Sequence, residues 1–321
     1  MATLRKRYVD TDVSGGAGDG SSWANAYASL SAAENAEDNT GNLVATDEYM
    51  EFDCRGVTLA DVAAAVVGWT TDATRYIDIY TEAANGPAGQ WSEAKYRIVG
   101  SGANLLTITE DYVHVKGIQV QLTFADSGTA YDAVRCTGAA GASNILCESC
   151  IAKGVLSGTN TAIASGFDAN GGTVTFRNCL AYDFINGSET HRGFKMAAGT
   201  LQNCTAHNCN FAFYRSSGTP VATNCGAASC TSGFSATITQ TTCSTSSPTF
   251  VDEGGDDFHL ASGDTTWKDQ GTDVSGTYLT DIDGATTTRN DIGMDEYVAA
   301  GGLSIPVARP YTQAVNRAAV Y

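Results

Sequence analysis

The decapeptide TLQNCTAHNC, Thr200–Cys209, is followed 21 residues later by ATNCGAASC, Ala222–Cys230. Both carry an Asn-Cys pair, and both place a second cysteine five positions after the first. Working outward, the same core recurs as HVKGIQV around Gly117, LCESCIA around Cys150, FRNCLAY around Cys179 and TTCSTSS around Cys243. The steps along this series are 33, 29, 25, 21 and 18 residues. A second series lies between its members: DAVRC, SGFDAN, RGFKMA, FAFYRS and SGFSAT align Val134, Phe167, Phe194, Phe213 and Phe234. Two columns keep their order while the connections vary in length.

Repeats of roughly 20–50 residues mean stacked units. Each unit here offers two or three short alternating segments with Gly, Asn or Ser at the corners, and no segment keeps a helical period. A propeller blade needs four strands and more uniform lengths. What remains is a parallel β-solenoid, in which each coil pairs with the next at about 4.8 Å and equivalent residues form ladders. The spacing therefore predicts an inward cysteine ladder (Cys150, Cys179, Cys204, Cys225) beside a phenylalanine ladder (Phe167, Phe194, Phe213, Phe234). Asn203 and Asn224 are placed at the adjacent corner, where Asn tolerates left-handed backbone and bonds to main chain. CESC, Cys147–Cys150, is the one short pair with metal or redox spacing. No second pair matches it, and plain alternation puts its two cysteines on opposite faces.

Composition agrees: 35 glycines, five prolines and ten cysteines in 321 residues suit many short strands with tight turns. The formal charge of −17 repels phosphate backbones and anionic lipid, which excludes nucleic-acid binding. No apolar run approaches the ~20 residues of a membrane span. MATLRKRYVD lacks the apolar stretch of a secretory signal, so the expectation is a chain kept in a cytoplasm with reduced thiols.

The segment YVDTDVSGGAGDGSSWANAYASLSAAENA, Tyr8–Ala36, contains a Ser-capped turn and one short helix that would plug the open end of a solenoid. It resembles the start of many right-handed parallel β-helix proteins of the pectate-lyase-like superfamily. SPTFVDEGGDDFHLASGDTTWKDQGTDVSG, followed by DIDGATTTRNDIGMDEY up to Tyr297, is similar to the closing segment common in that group. The resemblance implies an all-β, right-handed parallel β-helix with a short N-terminal capping helix and an extended C-terminal arm. The expected divisions are 1–44 for the N-terminal segment and cap, 45–260 for the β-helix, 261–297 for the closing segment and 298–321 for the arm.

The superfamily contains polysaccharide lyases and glycoside hydrolases. A hydrolase needs two carboxyls about 5–9.5 Å apart. Asp132 and Asp168 hold near-equivalent places beside the Val134/Phe167 column, and Asp183 follows the Cys179 strand; these are the candidate catalytic acids. They do not persist along the repeats, and the reading leans against an enzyme. Asp281, Asp283 and Asp291, with Asp295, are the candidate metal ligands, although a turn in which Asp side chains bind backbone explains them as well. His259 is read as packed in the closing strand. Tyr131, Tyr182 and Tyr214 offer either a sugar platform or ordinary stacking. No cofactor is expected.

After Tyr297 the composition changes. VAAGGLSIPVARPYTQAVNRAAVY has two arginines and no acid. Leu303, Ile305, Val307, Arg309, Tyr311, Arg317 and Tyr321 form the expected partner-binding arm. The sequence points first to a bacteriophage virion component, a capsid decoration or short spike, assembled in the host cytoplasm and displayed on the virion surface. The arm would bind other virion proteins in capsid or tail, and a homo-oligomer of this chain is a further expected partner. The alternative is a β-helix protein that binds or degrades polysaccharide, tailspike-like.

Overall fold

A computed structural model describes residues 2–298, apart from 39–40, 83–85, 126–128, 138–143, 158–161, 188–190, 279 and 285–289. The expected arm lies outside the described residues. Three all-parallel sheets run the length of the rod, with nine, six and seven strands. The chain visits them in turn: Val113–Lys116 in the first, Gln119–Ala125 in the second, Tyr131–Cys136 in the third, then back to Ile145–Glu148 in the first. The molecule is an all-β parallel β-helix.

The two ladders run up its centre. Cys150, Cys179, Cys204 and Cys225 are all buried, each immediately before an in-register strand of the second sheet. Their thiols reach back to the carbonyl two residues earlier, as Cys179 Sγ does to Arg177 O at 3.3 Å and Cys225 Sγ to Thr223 O at 3.4 Å. In these four rungs the second sheet points alanine inward beside the cysteines, at Ala152, Ala181, Ala206 and Ala227, where the two earlier rungs carry Val120 and Ile98, so the rod is narrow there and cysteine fits. Phe167, Phe194, Phe213 and Phe234 stack with ring centroids 5.0, 5.1 and 4.5 Å apart and planes within 11°.

Two details of register differ from expectation. The column partner of Cys150 is Ile118, since Ile151 pairs with Gln119; Gly117 belongs one position earlier. It aligns with Ser149, Asn178, Asn203, Asn224 and Thr242, all at positive φ between 47° and 66°. This corner also corrects the reading of CESC. Ser149 turns the chain, alternation restarts after it, and Cys147 and Cys150 both point inward. All ten cysteines are free.

The rod also starts sooner and ends earlier. Thr3–Asp10 already pairs along its whole length with Glu48–Arg55. A helix, α1, spans Leu30–Glu37, N-capped by Ser29, whose hydroxyl accepts the Ala32 N–H. Leu30 and Ala33 are buried in the same core as Ala64 and Val66, the first strand of the third sheet, so α1 covers that end of the rod. The last parallel strand is Thr239–Thr241. Phe250–Asp252 and Asp257–Leu260 then form an antiparallel hairpin.

After that hairpin the described residues up to 298 lie as a strap against the outer side of the second sheet. There Ile151, Leu180 and Tyr182 meet Phe250, Phe258, Trp267, Ile292 and Met294 in a second hydrophobic core. Trp267 sits on Gly226, where an added Cβ would lie 2.3 Å from the indole. The left-handed corner fastens the strap. Ser149 Oγ donates to Asp281 O (3.3 Å), Asn178 Nδ2 to Thr280 O (2.7 Å) and Asn203 Nδ2 to Asp291 O (3.1 Å). Asn224 exchanges two 2.8 Å bonds with the Thr272 backbone, and the Tyr278 hydroxyl donates to Asn203 Oδ1.

Asn203 thus holds a strained corner and two buried bonds. Replacing it by Ala is expected to cost ~3 kcal/mol, combining orphaned polar groups with the left-handed penalty. Asn203→Gly keeps the corner and is expected to lose ~1 kcal/mol less. Urea unfolding midpoints of the two variants check the order.

Candidate functional site

The third sheet carries the polar cluster that the sequence singled out. Its strands Tyr131–Cys136, Ala164–Ala169, Arg192–Met196 and Phe211–Arg215 are in register. Asp132, Ser165, Arg192 and Phe211 form one rank, and Arg135, Asp168, Lys195 and Tyr214 the next, on either side of the inward Phe column. The ranks are three residues apart and still face the same way, because two successive positions between them, such as Ala133 and Val134, both point into the core.

Asp168 is fully buried and Asp132 is 4% exposed. Lys195 Nζ donates to Asp168 Oδ2 at 3.0 Å. Arg135 comes within 3.9 Å of Asp132, and the Arg192 guanidinium lies 3.7 Å from the centre of the Tyr214 ring. Burial first, and then the charge of Asp168, push Asp132 up to about 7, while the Ser165 hydroxyl and Lys195 oppose the shift. The two carboxyls lie on adjacent paired strands, and Asp168 Oδ1 is buried without a donor among the described residues. Burial and the neighbouring negative charge together favour the protonated form of Asp132.

A proton held near neutrality is what a general acid needs. The surroundings do not match glycoside cleavage, however, because Asp168 is fully buried, Asp132 is nearly so and Lys195 occupies Asp168 Oδ2, whereas a glycosidase presents both carboxyls to the sugar. Asp183 stands apart from the pair, at the corner after the second sheet, with φ 62° and Asn208 Nδ2 donating to it at 2.7 Å. The tyrosines form no platform: Tyr131 packs edge-on against Phe124, Tyr182 is buried against Phe258, and Tyr214 is covered by Arg192.

The C-terminal aspartates also separate. Asp291 accepts the Asp269 amide at 2.6 Å and the Tyr297 amide at 2.7 Å, as expected of a backbone-binding turn. Asp281 is buried where its carbonyl meets Ser149. Asp283 instead faces His259, with Oδ1 3.0 Å from Nε2, and Asp257 Oδ1 lies 2.5 Å from Nδ1. Burial alone would lower His259, but Asp283, Asp295 and Asp257 outweigh it and raise the ring to about 10. Reading the chain by its repeats missed His259. The signal was the Asp257-x-His259 spacing, which puts both side chains on one face of a strand.

No helix among the described residues is long and apolar enough to cross a membrane. No protein-family profile matches the sequence, and no curated protein matches it. Among solved structures, the crystal structure of pectate lyase Pel9A aligns over 93% of this chain and 98% of its own, at 13% identity and a TM-score of 0.30. A likeness at that level assigns no residue a role.

The pair gives a signed pH prediction. With its folded pKa raised from 3.8 to about 7, Asp132 keeps in the native state a proton that the unfolded chain releases. It therefore lowers stability progressively as pH rises from about 4 to 7. Asp132→Asn, which mimics the protonated acid, is expected to match the wild type near pH 3, below both values. At pH 8 it is expected to exceed the wild type by a few kcal/mol, since each tenfold change in proton affinity corresponds to about 1.4 kcal/mol. Melting temperatures across this range test it.

Proposed function

We propose that this chain is a structural rod in a surface assembly, a bacteriophage virion component of the capsid-decoration or short-spike kind. Residues 298–321 attach it, and the acidic body faces solvent. It is assembled in the host cytoplasm, with other virion proteins as its partners. The observation that supports this most is the bracing. Four successive rungs are tied to one strap by the side chains of Ser149, Asn178, Asn203 and Asn224.

At several places along the first sheet, unlike charges meet from rung to rung. Lys6 meets Asp53 at 2.7 Å, and Glu148 lies between Lys116 at 3.3 Å and Arg177 at 3.6 Å. Such pairs occupy their acids in bracing the ladder. The contrast between a −17 chain and a tail with arginines and no acid supports attachment through that tail, by apolar burial and charge complementarity.

A second reading, binding or cleavage of polysaccharide, is favoured by one observation: two carboxyls, Asp132 and Asp168, on adjacent strands of the third sheet beside Lys195 and Arg192.

Removing residues 298–321 distinguishes the two. A chain ending at 297 is expected to melt like the full chain and to lose co-sedimentation with native particles by at least ~10-fold, about 1.4 kcal/mol of attachment. Undiminished co-sedimentation would refute attachment through the tail. Release of reducing ends or unsaturated products from polysaccharide by the full chain, lost in Asp168→Asn, would replace the structural reading with the second one.

A further inference from the structure

Where the hairpin meets the strap, a group of side chains converges that neither the ladders nor the Asp132–Asp168 pair involves. His259 comes from the strand Asp257–Leu260, and Asp283 and Asp295 from the strap. One nitrogen or oxygen atom from each lies within 4.8 Å of the other two. An imidazole with two carboxylates is a donor set for a borderline divalent cation.

Two features outside the three residues point the same way. Asp257 holds Nδ1 at 2.5 Å, which leaves Nε2 directed at Asp283 Oδ1. A carboxylate on the far ring nitrogen is what fixes the tautomer and orientation of a metal-binding histidine. The second feature is Gly89, with φ at +73°. A Cβ there would lie 2.4 Å from His259 Nε2 and 2.9 Å from Asp283 Oδ1. The loop therefore covers the cluster with bare backbone, and any larger residue at this position would press on both donor atoms. Gln90 holds the loop in place through its bridge to Asp257 and a 3.0 Å bond from Nε2 to Gly255 O.

We propose that His259, Asp283 and Asp295 bind a divalent transition cation of the zinc type, which clamps the hairpin to the strap. Calcium fits poorly, because it takes six to eight oxygen ligands and this site offers a nitrogen at its centre. Asp295 is already oriented, since its Oδ2 accepts the Leu260 amide at 2.7 Å. Three carboxylates, including Asp257, surround one imidazole. A divalent cation in place of the Nε2 proton moves this group one charge toward neutrality. The site holds whether the rod is structural or glycan-directed.

The full-length chain, stripped with EDTA and titrated with Co²⁺ and Zn²⁺, provides the test. The expected result is one saturable equivalent. The Co²⁺ spectrum should show nitrogen and oxygen coordination, and the melting temperature should rise by about 5 °C or more at a hundredfold excess over Kd. Asp283→Asn, which removes the ion pair to His259, is expected to melt below the metal-free wild type and to bind Co²⁺ at least tenfold more weakly; His259→Gln is expected not to bind. A sulfur-to-cobalt charge-transfer band would assign the metal to the cysteines and overturn the proposal. So would the lack of a saturable equivalent, or unchanged Co²⁺ binding in Asp283→Asn.

Discussion

A residue held at positive φ at the same place in successive rungs lets this chain turn from its first sheet into its second. Left-handed backbone costs most L-residues about 1–2 kcal/mol, and Gly, Asn and Asp least. Gly117, Ser149, Asn178, Asn203 and Asn224 occupy that place in succession. Because the turn resets strand alternation, the next residue points inward, and the narrow alanine-lined interior favours cysteine there. Because rungs stack in register, the corner also presents an amide or hydroxyl at about 4.8 Å intervals along the outside. The same side chains that make the turn tolerable therefore form a row of donors, and the strap is bonded to that row.

The sequence made the ladders legible because their signal is periodic and local: the Asn-Cys and Gly-Phe cores recur whatever the loops do. It misplaced Gly117 by one position because glycine does the backbone work of Asn without looking like it, and only the dihedral angle shows the equivalence. CESC misled for a related reason, since alternation counted through a corner gives the wrong face. Asp132 and Asp168 were visible because they sit inside the repeats. Their mutual influence was not, because it runs diagonally between ranks. The strap lay beyond reach: Asn178 meets Thr280, and Trp267 meets Gly226, with no repeat to relate them.

Stacking also imposes an electrostatic condition. Like charges in one rank would stand about 4.8 Å apart, close enough to repel through partly desolvated surroundings. Glu51 and Asp78 do stand side by side in the first sheet, where the Tyr80 hydroxyl donates to Glu51 and His114 lies against Asp78; elsewhere the ranks relieve the repulsion in two ways. Where the sequence allows it, cation follows anion, as at Lys116, Glu148 and Arg177 or at Asp168 and Lys195. Where Asp132 and Asp168 come together in the buried part of the third sheet, burial and the neighbouring charge favour the protonated form of Asp132. An acidic chain can thus carry a formal charge of −17 and still stack, provided that its surplus acids lie in exposed loops or bind backbone, as Asp12 does with the amides of Val57, Thr58 and Leu59.

That condition separates a supporting acid from a catalytic one. A carboxyl that cleaves a sugar linkage must stand off from its partner and face an open groove. Asp168 is fully buried and Asp132 nearly so, and Lys195 on the next rung holds Asp168 in an ion pair. Presenting the two carboxyls to a glycan would expose both and undo the burial that raises Asp132. The same geometry that makes this cluster chemically conspicuous therefore gives it a job in holding the rungs together.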